Sequence, residues 1–138
     1  MTVHQVELRV RTTKRVEAVD VTERVAAAVK GLGIGNGLCT VTVAHTTAGV
    51  LLSENADPDV RRDLLASLAR QVPDDAEYRH AEGNAPAHIK AVLVGSDVSV
   101  AVTDGALALG RWQGIFFAEF DGPRQRSATI TVIGERRG

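Results

Sequence analysis

Apolar and polar residues alternate over residues 5–10: Val6, Leu8 and Val10 lie on one side, Gln5, Glu7 and Arg9 on the other. A period of two sets one face on a core and the other in water, which predicts a half-buried strand. Past Asp20 the period lengthens. Val21, Val25 and Val29 recur every four residues, Asp20 stands as cap and Glu23 completes a capping box, so residues 20–30 predict a helix. The run Gly-Leu-Gly-Ile-Gly-Asn-Gly over 31–37 stops it and predicts a flexible connection without regular structure. Alternation returns over 38–45, with Cys39, Val41, Val43 and His45 on one face, and a short strand follows around 50–53.

Asp57-Pro58 places a cap residue before a proline at the first helical position. Val60, Leu64, Leu65 and Leu68 then form one stripe down to about Arg70, and Pro73-Asp74-Asp75 predicts a turn. Asn84 caps a third, shorter helix in which Ile89, Val92 and Leu93 are expected to face inward and Gly95 closes the end. Strands near 98–102, 115–121 and 127–133 complete the chain. Short glycine-rich turns between the last strands imply antiparallel pairing. The expected fold is therefore α+β, a single domain over 1–138. Its sheets are mostly antiparallel in a sandwich-like arrangement, with two to three helices packed on them.

Composition narrows the function classes. Sixteen basic and seventeen acidic residues give a net charge of −1, without the basic excess of a protein that coats nucleic acid. Aromatic residues make up 4% of the chain, too few for a single-strand stacking surface. No apolar run approaches the roughly 18 residues of a membrane helix. The alternating start, without an apolar signal core, leads us to expect a cytoplasmic protein. One cysteine, Cys39, excludes an internal disulfide and a cysteine-cluster zinc site. The glycine run follows a helix and precedes a strand, the reverse of the strand–glycine–helix order that cradles phosphate.

Three clusters carry candidate chemistry. His45, followed at once by Thr46 and Thr47, ends a strand, while His80, Glu82 and His88 lie in one segment leading into the third helix. Imidazoles with a carboxylate are the ingredients of a catalytic zinc or related centre, and imidazoles at a helix start equally suit a phosphate. Ser53-Glu54-Asn55-Ala56-Asp57 gathers carboxylates and an amide that capping by Asp57 alone leaves unexplained. Glu119 alternates with Ile115 and Phe117, so it points to their apolar side and needs a partner, for which Arg124 is the expected choice. In Gly110-Arg111-Trp112-Gln113-Gly114, flanking glycines let the chain present an indole and an amide.

Taken in order, His45-Thr-Thr-Ala48, Glu54-Asn-Ala-Asp57, His80 with Asn84-Ala-Pro-Ala-His-Ile-Lys90, Gly110-Arg-Trp-Gln-Gly114 and Glu119-Phe-Asp-Gly-Pro-Arg124 resemble the YjbQ family. These small proteins are assigned a secondary thiamine-phosphate synthase activity, and the resemblance runs from about Val6 to Glu135. It implies a homotrimer with sites near subunit boundaries. It also implies that His45, His80 and His88 converge on a divalent metal, zinc or magnesium, or on a phosphate-like anion. The chain departs from the family pattern between His80 and Asn84. Only Ala81-Glu82-Gly83 stands there in place of a longer acidic stretch, so no aspartate-assisted role carries over.

The expected function is an enzyme acting on a phosphorylated small molecule, joining a pyrimidine diphosphate to a thiazole phosphate with release of pyrophosphate. His45, His80, His88, Glu54 and Glu82 are the expected catalytic groups. Thr46, Thr47, Asn55, Asn84, Lys90, Trp112, Gln113, Glu119 and Arg124 are the expected substrate contacts. Two other readings stay open: a metal-dependent hydrolase with Glu82 or Glu54 as base, and a non-enzymatic trimeric ligand-binding protein.

Overall fold

The computed structural model describes residues Met1–Gly138. Its strands are β1 (Thr2–Arg11), β2 (Glu17–Asp20), β3 (Ile34–Thr42), β4 (Ala48–Glu54), β5 (Asp97–Thr103), β6 (Ala106–Leu107), β7 (Gln113–Glu119) and β8 (Gln125–Arg136). Its helices are α1 (Thr22–Leu32), α2 (Pro58–Gln71) and α3 (Ala85–Val94). Strands β1-β8-β3-β5-β6 make one sheet and β2-β7-β4 a second, with every pairing antiparallel. The α+β architecture is as expected. No helix is long and apolar enough to cross a membrane.

The alternation read from the sequence sets the layers. Leu8, Val10, Cys39, Val41, Val102, Ala128, Ile130 and Val132 line the inner face of the larger sheet. They pack with the cap residue Val21 and with Val25 and Val29 of α1 against Val50, Ile115 and Phe117 of the smaller sheet. The opposite face of the smaller sheet, at Ala118 and Phe120, carries α2 and α3 through Leu68, Ala87 and Ala91. Strand β7 is thus covered on both sides. Cys39 lies inside this core, where burial pushes its thiol up to about 11, so it offers no thiolate nucleophile at neutral pH.

Four expectations change. The glycine run is ordered: α1 continues to Leu32, Gly33 closes it at φ +70°, and β3 begins at Ile34. A Cβ on Gly37 would stand 2.1 Å from the Ile133 carbonyl oxygen, so this glycine serves a close strand approach and not flexibility. Helix α1 has Val21 at its cap. Asp20, one residue earlier, accepts from Thr22 N at 2.9 Å, and Glu23 forms no capping box. Val60 is exposed, while Leu68 is the buried residue of the α2 stripe.

The largest change is at α3, where Ile89, Val92 and Leu93 face solvent and Ala87, Lys90 and Ala91 are buried. The reason is distance. A Cβ on Gly49 of β4 would meet Gly95 O at 2.5 Å and Val94 Cγ1 at 3.0 Å, so the helix lies too close to the sheet for large side chains between them.

Candidate functional site

Loop 43–47 joins the two sheets, and its neighbours are the 79–84 segment, the first turns of α3 and the start of β8. Between them lies a cleft of about 400 Å³ lined by His45, Thr46, Thr47, Asn84, His88 and Arg124, with Glu82 and Arg126 on its walls. His45, Thr46 and His88 also line an adjoining hollow of about 500 Å³ whose other walls include Ala48, Ala91 and Val92.

His45 is fixed from below, because the Ser127 amide donates to its Nε2 at 3.1 Å. That nitrogen is an acceptor, so the neutral ring carries its proton on Nδ1. Burial, followed by the Arg126 charge, pulls the His45 pKa below the usual histidine value, with Glu119 opposing. Asp121 organises the opposite wall. Its carboxylate accepts from Asn84 Nδ2 at 2.9 Å and Arg124 Nη2 at 2.7 Å, and its carbonyl from Arg124 Nε at 2.7 Å. The bond to Asp121 settles the Asn84 amide orientation and leaves Asn84 Oδ1 a buried acceptor without a donor.

His80 packs edge-on against His88, ring centroids 5.1 Å apart, and its Nε2 lies 3.7 Å from the exposed Glu82 carboxylate. No three histidine, cysteine, aspartate or glutamate side chains come together as a metal-ligand group. His45 Nδ1 would need a lone pair to ligate, which would place the proton on Nε2, against the Ser127 amide that donates there. Two guanidiniums line the same cleft. Within one chain these residues do not fit a divalent cation, whereas two guanidiniums and an imidazole N–H fit an anion.

Beneath the cleft is a buried network that changes the Glu119 assignment. Glu119 does point to the apolar side of β7, as its alternation predicts, but its partner is Arg126 and not Arg124. Arg126 Nε donates to both Glu119 oxygens at 2.9 and 3.1 Å, and Nη2 also reaches Oε2. Thr12 Oγ1 donates to the same carboxylate at 2.7 Å, and the Phe120 and Asp121 amides do so at 3.1 Å. Burial pushes the Glu119 pKa up. The hydrogen bonds from Arg126, Thr12 and the Asp121 amide, with the Arg126 charge, outweigh it and hold the carboxyl below its ordinary range. Arg126 carried a legible signal: alternation along 126–132 sets it on the same face as Ala128, Ile130 and Val132. An arginine there demands a carboxylate as strongly as Glu119 demands a cation.

The remaining expected residues lie elsewhere. Glu54, Asn55, Trp112 and Gln113 gather at the opposite end of the smaller sheet, where Glu54 pairs with Gln113 across β4 and β7. The seven residues of β4 separate that end from loop 43–47 by about 20 Å. Glu54 Oε2 accepts from the Asp57 amide at 3.0 Å and so belongs to the start of α2, together with the Asp57 cap on Asp59 N. Asn55 N donates to the Trp112 carbonyl, and Gln113 Oε1 accepts from Gly110 N. Lys90 is buried on α3 outside the cleft lining, and its charge acts on Asp74.

Comparison with known proteins gives one consistent result. The sequence model of the family described as UPF0047 protein YjbQ-like matches residues 6–135. UPF0047 protein YugU of Bacillus subtilis is 46% identical over 128 residues, covering 92% of this chain and 97% of the relative. A UPF0047 protein of Methanocaldococcus jannaschii is 43% identical over 128 residues, covering 93% of each. Among solved structures, an uncharacterized YjbQ/UPF0047 protein from Clostridium acetobutylicum superposes with a TM-score of 0.91. It is 44% identical and covers 93% of this chain and 99% of that one.

Proposed function

The chain belongs to the YjbQ-like UPF0047 family, and on that premise we propose that it is a small cytoplasmic enzyme acting on a phosphorylated small molecule. One observation carries this reading. The cleft gathers His45, His88, Asn84 and Arg124, and the fixed His45 tautomer turns its remaining ring nitrogen into a donor. In the synthase reaction implied by the family resemblance, pyrophosphate leaves a pyrimidine diphosphate as a thiazole phosphate takes its place. The charge that develops is on phosphate oxygens, so neutralisation and positioning lower the barrier. The cleft guanidiniums and His45 Nδ1–H contact those oxygens, His88 is positioned to give a proton to the leaving pyrophosphate, and Asn84 Oδ1 accepts a hydrogen bond from the substrate. No step runs through a metal, because the donor set in one chain does not suit one.

We further propose a homotrimer with the site at a subunit boundary. Val92, 82% exposed, stands with Ile89 and Leu93 on the outer face of α3 beside the cleft. The separation of the expected residues between two ends of one sheet is what a site assembled from neighbouring chains leaves in each.

The test is pyrophosphate release with both substrates present, alongside metal analysis of the purified protein. His45→Ala is expected to remain folded by circular dichroism and to lose about 10²-fold in rate. Release that needs only the diphosphate points to a hydrolase. No release, and no thermal stabilisation by any phosphorylated compound, points to a binding protein.

A further inference from the structure

We propose that Arg126, rather than the outer Arg124, is the fixed donor for the ligand's phosphate, and that Glu119 and Thr47 are positioning residues that lock it in place. This rests on the anion-site reading above. Arg126 is 6% exposed yet lines the cleft. Its Nε is held by Glu119, and its Nη2 by Glu119, by Thr47 Oγ1 at 2.8 Å and by the Thr47 carbonyl at 3.4 Å. Nη1 has no protein partner and is not sealed away from solvent. A guanidinium with two nitrogens engaged and the third open is an oriented donor that loses no rotamer freedom when an anion arrives.

Arg124 differs in its burial and not in the number of nitrogens engaged. Its Nε and Nη2 are held by Asp121, but its side chain is half-exposed, whereas that of Arg126 is buried. Solvent screens its charge, whereas the enclosed Arg126 is screened much less. Glu119 offsets much of the Arg126 charge. The pair is close to neutral as a unit, so what the clamp supplies is a donor fixed in direction, while Thr12 and two backbone amides satisfy the remaining lone pairs of Glu119. The Thr47 carbonyl also accepts from Phe120 N at 3.1 Å, so the same contacts fix the loop that carries His45.

The experiment is calorimetric titration of the full chain with inorganic pyrophosphate, together with the Nε–H NMR signal of Arg126, assigned by its loss in Arg126→Lys. Arg126→Lys keeps the charge but cannot hold Glu119 and an anion together, and is expected to bind about 10-fold more weakly. Arg124→Ala is expected to lose about 3-fold or less. Thr47→Val, which removes one bond of the clamp, is expected to lose about 3-fold. Pyrophosphate should shift the Arg126 Nε–H signal, a response that a purely structural arginine would not give.

Equal losses in Arg124→Ala and Arg126→Lys, or an unmoved signal at saturation, overturn the proposal while leaving the anion site standing. A wild-type chain that binds no pyrophosphate overturns both. Should Arg126→Lys fail to fold, Thr47→Val decides, and unchanged affinity in it overturns the proposal.

Discussion

Replacing Arg126 by methionine keeps most of the side-chain volume and removes the cation. Glu119, 0% exposed, then keeps only Thr12 and the Phe120 and Asp121 amides as donors. Leaving one member of a buried ion pair uncompensated costs about 3–5 kcal/mol. For a domain of this size that is a fall of about 10–17 °C in Tm. The dependence on pH supplies a second, independent check. In the wild type the Glu119 carboxyl sits below its ordinary value near 4.5. The stability it contributes is therefore present above that value and is lost only as pH falls through the depressed one. Without Arg126 burial dominates, and the carboxyl rises above its ordinary value. The variant then regains stability by protonation as the pH drops, before the wild type loses any. Urea unfolding followed by circular dichroism, near pH 7 and near pH 5, should show a gap of about 3–5 kcal/mol that narrows by about 1 kcal/mol or more at the lower pH. Adding Glu119→Gln to the variant should recover part of the loss at pH 7. A gap below about 1 kcal/mol at pH 7, or one that does not narrow, would refute the assignment of the buried pair.

Three further outcomes follow from the geometry. An NMR titration of His45 should give a pKa below the usual 6.5, with stability at its full value above pH 6.5 and declining as pH falls toward the lowered value. Pyrophosphate should move that pKa upward, and a free-protein value at or above 6.5 would contradict the account of its burial. Gly49→Ala forces a Cβ against the Gly95 carbonyl and Val94. It should destabilise the chain by about 1–3 kcal/mol in urea unfolding, and a neutral result would show that α3 can move off the sheet. Val92→Glu should leave the fold intact and shift sedimentation from trimer to monomer, while a wild-type chain that sediments as a monomer removes the trimer proposal.

The parts of the fold legible in the sequence are those where one period governs one environment. Val6, Leu8 and Val10 announce β1 because only one face of that strand is covered, and Asp57-Pro58 announces α2 because cap and proline act locally. Helix α3 misleads because its register is set by a distance and not by apolarity. The close approach at Gly49 admits Ala87 and Ala91 and turns Ile89, Val92 and Leu93 outward. Strand β2, four residues long, is held by pairing to β7, and nothing in its own pattern signals that partner. The candidate site divides in the same way. His45, Thr46, Thr47, Asn84, His88 and Arg124 share a cleft because loop 43–47 and the start of β8 meet there. Glu54 and Trp112 belong with them in the order of motifs but stand at the far end of the sheet, a separation that spacing along the chain does not encode.

Glu119 and Arg126 belong to different sheets, and each breaks the apolar pattern of its own strand on the face turned to the core. Either one alone would be a costly burial, but together they satisfy each other at the place where the sheets part and loop 43–47 crosses between them. The pair cannot extend further into the core, because the next inward positions, Phe117 on β7 and Ala128 on β8, are apolar and fully enclosed. It therefore marks the boundary between packed interior and cleft, and it sets the height at which Thr47, and with it His45, stands over that boundary. Position along the strand, more than charge, fixes the site: moving either residue by two along its strand would keep the alternation but break the clamp, leaving a sandwich of the same topology without the contacts that hold loop 43–47 over the cleft.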